Sequence, residues 1–137
     1  GTVGSITCSN ATSFNTSSDH RLKTDAQPMT GASDRVLALK PVNFKWIADG
    51  TRVDGFLAHE AQVVVPEAVT GTKDAMMDEE YEVTPAVLDD DGNETKSAVM
   101  GTRSVPDMQA IDQSKMVPLL VASLQEALAR ITALEAG

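Results

Sequence analysis

The 137-residue sequence predicts an α+β domain of short strands and hairpins with small helices. It ends in a long C-terminal helix suited to a parallel coiled coil or helical bundle with copies of itself. Three observations predict this. From Ser114 to Ala136 apolar residues recur at spacings of three and four, the period of an amphipathic helix. Asp49-Gly50 and Asp89-Asp90-Asp91-Gly92-Asn93 are turn signals between strand-forming runs. Pro41 and Pro66 each halt a short apolar stretch, as proline does by removing a backbone donor and fixing φ.

Residues 1–17 hold Thr, Ser and Asn with a few β-prone side chains (Val3, Ile6, Thr7, Phe14), enough for strands but too little apolar mass to fold alone. The pattern Val36, Leu37, Leu39 suits a short helix over 34–40, ended by Pro41. Val42–Ile47 and Val53–Ala58 flank Asp49-Gly50 as the two strands of a hairpin. His59–Val65 follows as a helix or tight apolar segment, and Glu79–Leu88 is a further strand before the acidic turn at 89–93. Pro118 is acceptable only in the first turn of a helix, which sets the start of the last helix near Ser114. In that helix Val117, Leu124 and Ile131 share one heptad position, and Leu120, Ala127 and Leu134 another. Val121 and Leu128 widen the stripe, which favours three or more associated helices over two.

Composition narrows the function. A net charge of −9 argues against a nucleic-acid partner, because phosphate neutralisation needs clustered Lys and Arg. No apolar run approaches the roughly 20 residues of a membrane span, so no membrane partner is expected. Aromatic residues make up 4%, leaving the core to Val, Leu, Ile, Met and Ala and offering little for sugar stacking. Cys8 is the single cysteine, so no internal disulfide is possible. The start at Gly1 reads as a fragment of a longer protein. Asn10, Asn15 and Asn93 match the glycosylation triplet, as expected by chance in a Thr/Ser-rich chain.

Two motif beginnings fail. His59-Glu60 opens like a zinc-protease helix, but Val63 occupies the place of the second histidine. The acidic turn at Asp89 opens like a calcium loop, but Glu94 occupies the place of the required glycine. No metal site and no cofactor is expected. Trp46 and Met76-Met77 read as core or interface filling.

One constellation carries chemistry. Ser18-Asp19-His20-Arg21-Leu22-Lys23 follows directly on the seventeen uncharged residues Gly1–Ser17, the appearance of a processing junction. Serine is a weak nucleophile without a base, and lysine serves as one when burial or a nearby cation favours its neutral amine. Lys23 is the candidate base for Ser18, Arg21 the candidate cation, Asp19 an orienting or opposing carboxylate, and His20 an alternative base. The bland reading of the same spacing is a polar turn that caps the next segment.

Several blocks together resemble the S74 peptidases, the C-terminal intramolecular chaperone domains of bacteriophage tail fibres, tailspikes and endosialidases. They are Gly4-Ser5-Ile6-Thr7, Ser18-Asp19-His20-Arg21-Leu22-Lys23, Ala38-Leu39-Lys40-Pro41-Val42, Asp54-Gly55-Phe56-Leu57-Ala58-His59-Glu60, Val64-Val65-Pro66-Glu67-Ala68-Val69 and Lys115-Met116-Val117-Pro118-Leu119-Leu120. His59 departs from the glutamine expected in much of the family, and His59 and Glu60 are kept as supporting candidates beside Asp19, His20 and Arg21. The resemblance implies a homotrimer seamed by Val117, Leu120, Leu124, Leu128, Ile131 and Leu134, with 114–136 as its helix. It implies cleavage of the Ser17–Ser18 bond by a Ser18–Lys23 dyad. Residues 1–17 are then the end of the mature fibre, and residues 18–137 the released chaperone. Its partner before release is the upstream fibre segment of the same polypeptide. The location it implies is a virion tail-fibre precursor, made and processed in the bacterial host cytoplasm. Two other readings stand beside this one: a permanent trimerisation cap that never cuts, and a receptor-binding fibre tip.

Overall fold

The computed structural model describes residues 6–9 and 13–137, and divides the chain into two units, Gly1–Thr30 and Gly31–Gly137. In the first unit β1 (Ile6–Ser9) pairs antiparallel with β2 (Ser13–Thr16), Ile6 opposite Thr16 and Ser9 opposite Ser13. The strand-forming tract expected at residues 1–17 includes 1–5 and 10–12, which lie outside the described residues. After β2 comes a 3-10 turn, His20–Leu22.

The second unit opens with α1 (Ala32–Ala38), β3 (Val42–Lys45), β4 (Arg52–Gly55) and α2 (Ala58–Val64). A 3-10 turn at Pro66–Ala68 leads to β5 (Val69–Thr70), β6 (Met76–Thr84), β7 (Val87–Leu88), β8 (Glu94–Lys96), β9 (Val99–Pro106) and β10 (Ala110–Ile111). A final 3-10 turn, Gln113–Met116, runs into α3 (Val117–Ala136). This is the predicted α+β class, with short strands in hairpins and a C-terminal helical stretch from Gln113 to Ala136.

Among the described residues every sheet has two strands. β3 pairs with β4 across the turn at Asp49-Gly50, where Gly50 takes φ +72° and the Asp49 carboxylate accepts from Thr51 N–H at 2.9 Å. The remaining pairings are nested. β7–β8 closes over the acidic turn, where Asp89 Oδ1 accepts from the N–H groups of Asp91 and Asn93 and Gly92 takes φ +83°. β6–β9 closes around that hairpin, and β5–β10 closes around both.

Several boundaries differ from expectation: the strand expected at 42–47 ends at Lys45, and the segment expected at 59–65 is a helix over 58–64. The first helix spans 32–38 rather than 34–40, because Leu39 is already extended ahead of Lys40-Pro41. The strand expected at 79–88 starts three residues earlier and breaks after Thr84, where a bulge precedes Pro85. The return strand expected at 53–58 stops at Gly55, and Ala58 already belongs to α2.

The core is small. Ala32, Ala61, Val65, Ala68, Val69, Met116 and Leu119 are its buried side chains, packed by Val36, Leu39, Phe56, Ile111 and Ala122. It lies where α1, α2, the β5–β10 pair and the start of α3 meet. Glu126 of α3 fastens α1 to it: its carboxylate accepts from Ala32 N–H at 3.1 Å, Ser33 N–H at 2.8 Å and the Ser33 hydroxyl. Gly31, the residue before α1, offers no side-chain cap, so Glu126 satisfies the orphan amides instead. Arg35 adds a bond from Nη2 to Val64 O at 2.9 Å, tying α1 to the end of α2.

Leu119, Ala122 and Glu126 occupy the side of α3 turned to this core. The stripe Val117, Leu120, Val121, Leu124, Leu128 and Ile131 lies roughly 180° around the helix, and all six are exposed. Trp46, Met76 and Met77 are also exposed, which excludes the core half of their expected role. One expectation needs correction: the helical stretch Gln113–Ala136 is, by length and composition, long and apolar enough to cross a membrane. Its charged Glu126 is nonetheless committed to α1, and Lys115, Arg130 and Glu135 interrupt the sequence.

Candidate active site

The Ser18–Lys23 junction is assembled by the turn between them. Leu22 N–H bonds Asp19 O at 3.0 Å and Lys23 N–H bonds His20 O at 3.1 Å, folding the chain back over three residues. Lys23 Nζ is thereby brought to 2.6 Å from Ser18 Oγ and 3.3 Å from Ser18 O. Asp19 caps the turn: its Oδ1 accepts from Arg21 N–H at 2.8 Å and Nε at 2.9 Å, and its Oδ2 accepts from Nη2 at 2.9 Å. Ser17, Ser18 and every residue of the turn are exposed.

This arrangement changes one expected role. Arg21 is not a free cation beside Lys23, because its guanidinium is forked onto Asp19. The pairing with the Arg21 side chain, then the bond from its backbone N–H, holds the Asp19 carboxyl below its ordinary range, and Arg21 is raised in turn. His20 forms part of the turn. The sequence carries a local signal for this Asp19–Arg21 pairing, an Asp-x-Arg spacing at a turn start.

His59 and Glu60 belong to the second unit, in the first turn of α2. Glu60 forms a loose ion pair with Lys40 at 3.7 Å. His59 borders an open apolar hollow of about 420 Å³ lined by Phe44, Trp46, Ile47 and Phe56, where the Phe44 and Trp46 rings meet edge to face at 5.0 Å. Val63, at the place of the missing second histidine, is exposed on the same helix.

Chemically, a hydroxyl within hydrogen-bond reach of an amine is the minimum of a nucleophile–base pair. Water has free access to it. Ser18 also carries the amide nitrogen of the bond that precedes it.

Comparison with known proteins adds the following. No curated protein matches the chain. Among solved structures, one described as a novel intramolecular chaperone aligns at 20% identity over 82% of this chain and 99% of its own, with a TM-score of 0.46. The family model of Peptidase S74, described as chaperone of endosialidase, matches residues 18–70. The resemblance to the S74 peptidases is thus shown for the stretch from Ser18 to Thr70, which begins at the candidate nucleophile itself.

Proposed function

We propose that this chain is an intramolecular chaperone that trimerises through α3 and then severs its own Ser17–Ser18 bond. The family match over residues 18–70 supports the chaperone role. The observation that carries the chemistry is the 2.6 Å approach of Lys23 Nζ to Ser18 Oγ, across five residues of sequence.

The reaction balances with these two residues and water. Ser18 Oγ attacks the Ser17 carbonyl carbon through a five-membered ring, and its proton passes to the neutral Lys23 amine. The tetrahedral centre collapses with rupture of the C–N bond, and the lysine returns the proton to the departing Ser18 amine. The ester left on Ser18 Oγ is then hydrolysed, giving a Ser17 carboxylic acid and a free Ser18 hydroxyl. Direct attack by a water that Lys23 deprotonates is the alternative route to the same products.

Lysine serves as a base only in its neutral form, which desolvation favours. In one chain Ser18 and Lys23 are exposed and Arg21 is already paired. Assembly of three chains is the step that supplies the missing cover, and this makes cleavage wait for the trimer. The exposed apolar stripe of α3, opposite the side that binds its own core, supports that assembly. Holding three ends together raises their effective concentration to roughly millimolar, which favours an interwoven β-structure in the upstream segment.

Intact-mass spectrometry of the parental chain beside Ser18→Ala and Lys23→Ala tests the proposal. A fragment beginning at Ser18 is expected in the parent alone. Three intact masses from a proven trimer would leave a permanent trimerisation cap as the better reading.

A further inference from the structure

We infer that Asp19 and Arg21 form a positioning clasp whose closure is what delivers Lys23 to Ser18. The inference rests on the dyad reading above and deepens it.

Five extended residues span about 17 Å, so Lys23 Nζ reaches Ser18 only because the chain reverses between them. The reversal is a three-residue turn with two backbone bonds, Leu22 to Asp19 and Lys23 to His20. Nothing buried reinforces it, since residues 17–30 are all exposed. Asp19 supplies what the backbone lacks. Its carboxylate holds Arg21 twice, once by the peptide N–H and once by the guanidinium fork, closing a ring within the turn. Engagement of both oxygens has a second effect. Asp19 lies close enough to Lys23 to feel its charge, and a free carboxylate there would compete with Ser18 Oγ for the ammonium. Arg21 occupies that carboxylate and leaves Nζ on the serine. A lysine at position 21 has no planar fork and cannot hold both oxygens this way.

The test is the rate of self-cleavage of the full chain, followed by intact mass across a pH series. Asp19→Asn keeps an oxygen for the Arg21 N–H but weakens the fork, and about threefold slowing is expected. Asp19→Ala loses both, with slowing of about tenfold to a hundredfold. Arg21→Lys is expected to behave like Arg21→Ala, and Asp19→Ala/Arg21→Ala to be no slower than Asp19→Ala alone. Asp19→Ala takes an anion away from Lys23 and is expected to move the pH of half-maximal rate down, whereas Arg21→Ala frees that anion and is expected to move it up. Asp25→Asn, which also removes one carboxylate but does not contact Arg21, is expected to cut at the parental rate.

Parental cleavage by Asp19→Ala overturns the clasp. So does an Asp19→Asn variant as inactive as Lys23→Ala, which would assign the carboxylate to proton transfer. Parental cleavage by Lys23→Ala overturns the dyad instead. Should the parental chain not cut, amide exchange at Leu22 and Lys23 decides: faster exchange in Asp19→Ala supports the clasp, and unchanged protection overturns it.

Discussion

Truncating two leucines five residues apart on α3 separates what this helix does for its own chain from what it would do in an assembly of copies. Leu119 is 2% exposed in a core with seven buried side chains among the described residues. Leu119→Ala removes three carbons, worth about 2.5 kcal/mol at roughly 0.8 kcal/mol each. The unfilled cavity raises the loss to about 3–5 kcal/mol. For a unit of this length that lowers Tm by roughly 15 °C or more. Leu124 is 60% exposed within the chain, and the same truncation there costs under about 1 kcal/mol if the helix stays alone. If α3 is the seam of a trimer, Leu124→Ala instead costs a core-like 2–4 kcal/mol per chain, and the cost grows or vanishes with protein concentration. Urea and thermal melts at several concentrations, read beside sedimentation equilibrium, measure both. A Leu119→Ala loss under about 1 kcal/mol would refute the packing argument. A concentration-independent, near-silent Leu124→Ala in a monomeric parent would refute the seam.

Three further outcomes are expected. Bonds from the Ser33 hydroxyl and amide, then from the Ala32 amide, hold the Glu126 carboxyl below its ordinary value of 4.5. A group whose pKa is depressed on folding stabilises above its unfolded value and loses that contribution as pH falls through the folded one. Tm should therefore decline below about pH 4.5, and Glu126→Gln should flatten that decline in a pH-dependent melt. A Cβ at Gly55 would stand 3.0 Å from Phe44 Cε1, so Gly55→Ala should cost about 1–2 kcal/mol and shift the emission of Trp46, whose ring leans on Phe44. Arg103 pairs with Glu79 and covers the Tyr81 ring at 4.8 Å, yet it is more than half exposed, so Arg103→Ala should change unfolding free energy by less than about 1 kcal/mol in urea titration.

The parts of the fold legible in the sequence are those governed by local chemistry. The hairpin turns at Asp49-Gly50 and Asp89–Asn93 are set by residues that bond their own backbone, and the start of the last helix by Pro118. The start of α1 was not legible, because its cap is Glu126, more than ninety residues away. β9 is not legible in the sequence, because Gly101 interrupts its alternation. In the structure that glycine is where Val83 and Tyr81 cross the opposite strand, with Val83 Cγ2 only 2.8 Å from a Cβ built there. At the junction, the approach of Ser18 and Lys23 followed from spacing once a turn was assumed. The pairing of Arg21 with Asp19 was signalled only by the Asp-x-Arg spacing, which leaves open whether the carboxylate turns to Arg21 or to Lys23.

The nesting of β7–β8 within β6–β9 within β5–β10 also sets a timetable. Closing an isolated hairpin takes about 1–10 μs, and each inner closure brings the next pair of strands together, so the entropy of a long loop is met in small instalments. Asp107 N–H to Ala75 O and Asp112 N–H to Ala68 O continue the same zipper down to the 3-10 turn before α3. Strands that must find partners on other chains have no such ladder and close slowly. A segment that zips from its own tip is therefore ready early, and under the proposed function early readiness would suit a folding aid whose client is the slower part of the same polypeptide.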